Sequence, residues 1–68
     1  MTSLQLEDGV RLKWDIPNLF LRRGDVGIVK SRWLSGAYEV EFPQDWQAFP
    51  IRTLVFAEQL EVVEPAIA

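Results

Sequence analysis

Neither cysteine nor histidine occurs anywhere in the 68 residues. Without cysteine there is no disulfide to staple a small chain and no thiolate to serve as nucleophile or metal ligand. Without histidine the commonest proton shuttle near neutral pH is missing, and the usual zinc ligand sets go with it. A cysteine-free chain suits a reducing compartment, and a cytoplasmic protein is expected. Long apolar runs are missing as well: no stretch approaches the roughly 18 residues of a membrane span. Met1 to Gly9 has neither a basic start nor an apolar run, so no secretion signal is expected. Basic residues are scarce, seven Lys and Arg against ten Asp and Glu, for a net charge of −3. Phosphate neutralisation takes clustered Lys and Arg, so a domain of this sign lacks the general footprint of a nucleic-acid binder.

What the chain does have is apolar material for one small core. Hydrophobic residues make up 49% of it, with three Trp, four Phe and one Tyr, which argues against disorder. The length holds a single domain, placed at residues 8 to 65, with 1 to 7 and 66 to 68 as flexible termini. After the Asp8-Gly9 turn, Val10, Leu12 and Trp14 alternate with Arg11 and Lys13, the period-two pattern of a half-buried strand with Trp14 in the core. Pro17 blocks a helix interior and biases Ile16 to an extended conformation, so Asp15 to Arg23 reads as a long loop. Its apolar members Ile16, Leu19, Phe20 and Leu21 are expected to fold back over one end of the core. Val26 to Arg32 is a second strand, in which Gly27 marks a bulge or sharp bend. Ser35-Gly36 is a hairpin turn, and Tyr38, Val40 and Phe42 alternate with Glu39 and Glu41 in the clearest strand of the chain. Pro50 opens a fourth strand with Ile51, Thr53 and Val55 opposing Arg52, Leu54 and Phe56. One helical turn over Ala57 to Leu60 precedes a last strand at Glu61 to Val63. The expected core is Val10, Leu12, Val26, Ile28, Val40, Phe42, Val55, Leu60 and Val62.

This order of elements is that of an all-β, five-stranded antiparallel SH3-like barrel. The segment LRRGDVGIVKSRWLSGAYEVEF, from Leu21 to Phe42, with the closing FAEQLEVVEP, resembles the small bacterial family known as domain of unknown function 4926. Gly24-Asp25-Val26-Gly27-Ile28-Val29 followed by Tyr38-Glu39-Val40-Glu41-Phe42 also resembles the barrel of the nitrile hydratase β subunit, the KOW motif and small photosynthetic electron-transfer accessory subunits. The resemblance implies a fold; one barrel plan hosts many unrelated functions, so it implies no activity.

Neither a nucleophile with its base nor a metal-ligand set can be assembled from these residues, so no catalytic residue, metal or cofactor is expected. Glu39 and Glu41, two apart on one strand face, are expected to pair across the hairpin with Lys30 and Arg32. The candidates for contact with a partner are Arg22 and Arg23 at a loop end, Lys30 and Arg32 on the second strand, Trp33 at the hairpin tip and Trp46 in a polar loop. Basic residues beside an aromatic suit both a protein hot spot and a single-stranded nucleic-acid platform. Trp33 and Trp46 have two readings, capping an end of the barrel or meeting a partner. The leading expectation is a non-catalytic protein-binding module, an accessory or regulatory small protein. A KOW-like nucleic-acid-binding barrel is the alternative; a membrane partner is not expected, and the oligomeric state is open.

Overall fold

The computed structural model describes residues 4–44 and 48–66. Five strands form one antiparallel sheet: β1 (Gly9–Leu12), β2 (Val26–Arg32), β3 (Ala37–Phe42), β4 (Ile51–Phe56) and β5 (Leu60–Glu64). Their order across the sheet is β4-β3-β2-β1-β5. The outermost strands are consecutive in the chain, joined by a 3-10 turn at Ala57–Gln59. Val55 of β4 and Leu60 of β5 belong to the same buried cluster as residues of the three strands between them, so the sheet is rolled around one core. No hydrogen-bonded ladder joins β4 to β5, and the roll stays open there. The all-β, five-stranded plan with a helical turn before the last strand is as expected.

Alternation decides which side chains meet inside. In β3, Tyr38, Val40 and Phe42 face inward while Glu39 and Glu41 face out. Val10 and Leu12 of β1, Val55 of β4 and Leu60 of β5 join them, also as expected. In β2 the expected phase is inverted. Val26, at 52% exposure, and Ile28 lie on the outer face, and Gly27 and Val29 point inward. A Cβ on Gly27 would lie 2.7 Å from the Glu41 carbonyl oxygen and 2.8 Å from both Phe42 Cδ1 and Val40 Cγ1. Gly27 is thus the point where β2 passes closest to the interior filled by β3, and it is not a bulge. The bulges fall at Lys30, which is left over between Val29↔Val40 and Ser31↔Glu39, and at Val63, opposite the step from Gly9 to Val10. Val62, expected in the core, is also partly exposed, because it lies at the rim beside that second bulge. Trp14 is exposed too, since β1 ends at Leu12 before the alternation reaches it.

The long loop turns at its proline. Ile16, at φ −126° and ψ 80°, falls short of the extended conformation expected before proline; Pro17 opens a 3-10 turn to Leu19, and Ile16 and Leu21 bond to each other across it. Leu21 enters the core and Ile16 and Leu19 pack on it, whereas Phe20, in the left-handed region at φ 59°, stays exposed. The core also takes in Leu4, from the segment expected to lie outside the domain. That segment is held by Glu7 N–H on the Val29 carbonyl at 2.7 Å, and the buried Asp8 carboxylate accepts from the N–H groups of Gln5 and Ala66 at 2.8 and 2.7 Å. One side chain thereby ties the segment before β1 to the segment after β5. Among the described residues no helix is long and apolar enough to cross a membrane.

Candidate functional site

The hairpin between β2 and β3 turns on Ser35 and Gly36, both with positive φ. This hand matches the twist of the flanking strands. The turn brings Trp33 opposite Ala37, whose carbonyl accepts the Trp33 N–H at 2.9 Å. Ala37 is opposite Phe56 on β4, and the next outward row along the sheet is Ser31, Glu39 and Leu54. Register therefore gathers Trp33, Phe56 and Leu54 on one outer face. Ala37, although on that face, is buried.

Trp33 remains 57% exposed, with Leu54 at 52%, Phe56 at 50% and Leu34, at the turn itself, at 90%. The indole is oriented all the same: Nε1–H donates to Ser31 Oγ at 3.2 Å, and Ser31 Oγ–H donates to Glu39 Oε1 at 2.8 Å. The Lys30 bulge makes this relay possible, because it returns Ser31 to the outer face opposite Glu39. The result is an apolar, partly aromatic patch with one fixed tryptophan and an acidic border. Beside it, Arg52 Nη2 donates to Glu41 Oε2 at 2.7 Å. That hydrogen bond holds the Glu41 carboxyl below its ordinary range against an opposing desolvation, and the Arg52 charge adds to the lowering.

The chain matches no family model, no curated protein and no solved structure.

The other expected site residues do not join Trp33 in one patch. Arg22 and Arg23 sit before β2, where their backbone N–H groups are taken by Asp25 Oδ2 at 3.0 Å and Asp15 Oδ1 at 2.8 Å. Lys30, Arg32 and Trp33 lie further along and beyond β2, from about 13 Å past its start at Lys30 to about 20 Å at Arg32 at the usual rise per residue. Lys30 faces Glu7, at 3.4 Å, and not Glu39 or Glu41. Arg32 is opposite Tyr38 and exposed. The pairing of the two glutamates with Lys30 and Arg32 is thus replaced by pairing with Ser31 and Arg52. Trp46 lies outside the described residues.

Leu34, Leu54 and Phe56 were not among the residues expected to form a site. Their signal is nonetheless in the sequence: Leu54 and Phe56 occupy the outward positions of β4, where alternation calls for polar residues.

Proposed function

We propose that this is a non-catalytic protein-binding module, an accessory or regulatory small protein of the cytoplasm, which meets its partner with the face built on Trp33. The observation that carries the reading is the Trp33, Leu54 and Phe56 cluster, half exposed and with its indole hydrogen-bonded in place. A large aromatic held ready in an apolar patch with a polar border is the usual anatomy of a protein-binding hot spot. Preorganisation matters here, since ordering a free side chain on binding costs affinity. The carboxylates of the sheet support the non-catalytic part of the reading. An acid–base pair needs one carboxyl with a raised pKa, whereas Glu41 is held low by Arg52 and Glu39 is occupied by Ser31.

The nucleic-acid alternative needs Arg22, Arg23, Lys30, Arg32 and Trp33 to act on one polyanion. The separation of the two arginines from the other three along β2, and the Lys30–Glu7 pair, weaken that reading.

Affinity capture from the native host, comparing the parent protein with Trp33→Ala and with the double change Arg22→Glu, Arg23→Glu, separates the two. On the protein-binding reading Trp33→Ala weakens the partner by about 2 kcal/mol or more, roughly thirtyfold in Kd. The arginine changes leave capture intact, and circular dichroism shows both variants folded. Micromolar binding of single-stranded RNA that declines steeply with salt and disappears with the arginines would overturn the proposal.

A further inference from the structure

The free edge of β4 is complementary to itself. Because Ala37 faces β2 with its carbonyl, alternation turns the backbone groups of Ala37, Glu39 and Glu41 to β2 and those of Tyr38, Val40 and Phe42 to β4. The latter three are opposite Val55, Thr53 and Ile51. The backbone groups of Arg52, Leu54 and Phe56 therefore point away from the sheet. The N–H of Phe56 agrees with this direction, since it donates to Gln59 Oε1 at 2.9 Å. Arg52 and Leu54 are left presenting two donors and two acceptors, and among the described residues no backbone hydrogen bond from outside the sheet reaches them.

Edges of this kind are ordinarily blunted by proline, lysine or a bulge. Ile51 to Val55 contains neither residue, and the β3–β4 register runs unbroken from Ala37↔Phe56 to Phe42↔Ile51. The one charged side chain on the edge, Arg52, is held on Glu41.

We propose that β4 pairs antiparallel with β4 of a second copy of this chain, about a two-fold axis at Thr53. Arg52 of each copy then exchanges both backbone bonds with Leu54 of the other, four bonds in all. The register centred on Leu54 would instead require the Phe56 N–H that Gln59 already holds. On the inner side Ile51 meets Val55 and Thr53 meets Thr53, so β-branched residues oppose each other. On the outer side the row runs Glu41, Arg52, then Leu54 and Glu39 of the second copy. The arginine stem covers the exposed leucine, and its charge lies between carboxylates from both copies, with no like charges opposed. A foreign strand would have to reproduce this pattern on both faces, and the chain's own strand already carries it.

A five-residue edge is a small interface, so the association is weak and depends on concentration. Sedimentation equilibrium from micromolar to millimolar protein is expected to show monomer passing into dimer. Leu54→Lys places a lysine opposite Arg52 of the second copy, twice per dimer, while facing Glu39 favourably within its own chain. It lowers the association constant by about tenfold or more and keeps the monomer folded. Amide exchange reads the register directly: Arg52 and Leu54 amides slow as concentration rises, whereas those of Thr53 and Val55 are protected at every concentration. A chain that stays monomeric at millimolar concentration overturns the proposal. So does self-association that Leu54→Lys fails to weaken, or that leaves the Arg52 and Leu54 amides unchanged. Trp33→Ala leaves dimerisation as it is, so failure here and failure of the partner-binding reading are separate results.

Discussion

Gly27 shows how one residue sets the phase of a strand. Its neighbours Val26 and Ile28 are the more hydrophobic pair, and hydrophobicity alone assigns them to the core. The space on the inner side of β2 is already filled by Val40 and Phe42, and the only side chain that fits there is hydrogen. A methyl group at this position must displace the Glu41 carbonyl oxygen, which belongs to a sheet backbone, and not the far end of a flexible side chain. Gly27→Ala is therefore expected to cost about 1–3 kcal/mol, the range of overpacked cores, and Gly27→Val more. Urea denaturation monitored by tryptophan fluorescence measures it, and an unchanged midpoint would mean that β2 can shift outward without loss. The presence of a special glycine was legible in the sequence. Its reason was not, because a bulge and a close approach leave the same mark when the facing strand is unknown.

The strand elements were legible in proportion to their alternation. β3 alternates strictly and has the inward and outward faces expected, while β2, with Val26, Ile28 and Val29 clustered around a glycine, carries no phase of its own. Trp14 continues the alternation of β1 in sequence but falls beyond Leu12, where the strand ends and the loop with Pro17 begins. Turn chemistry fixed the β2–β3 hairpin: Ser35 and Gly36 have φ values of 66° and 75°. Glycine adopts this region freely, serine at a cost, and asparagine more readily than serine. Ser35→Asn creates the Asn-Gly pair preferred in such turns and is expected to stabilise the domain by about 0.5–1 kcal/mol. A rise in Tm with unchanged Trp33 fluorescence would show that the turn is relieved without disturbing the site it positions. The candidate site was only partly legible at this scale. Trp33 stood out, but Leu54 and Phe56 reach it only through the β3–β4 register, which follows from neither strand read singly.

At the scale of the whole molecule, charges pair between neighbouring strands of the rolled sheet and do not follow the split of charge along the chain. Most basic residues precede Trp33 and most acidic ones follow it, yet of the three ion pairs among the described residues only Arg11–Glu61 joins the two parts. Arg11 of β1 meets Glu61 of β5 at 2.7 Å, and Arg52 of β4 meets Glu41 of β3 at the same distance. Cross-strand pairing is the expectation; the partners of Glu39 and Glu41 differ because the β2–β3 register, shifted by the Lys30 bulge, puts Ser31 and Ile28 opposite them. In both pairs the hydrogen bond from arginine lowers the glutamate pKa, and the arginine charge acts in the same direction. A carboxyl with a lowered folded-state pKa binds a proton less readily when folded than when unfolded. Its contribution to stability is therefore complete above the unfolded value, and it is lost as pH falls from the ordinary glutamate value of about 4.3 through the lowered one. Both pairs are solvent-exposed, so the effect is small and weakens with salt. The double change Glu41→Gln, Glu61→Gln isolates it. The Tm of the parent should exceed that of the variant at neutral pH and low salt, and the gap should close as the pH drops below the glutamate range. A gap that persists in acid would show that the two side chains act through packing on the sheet surface, independently of their charge.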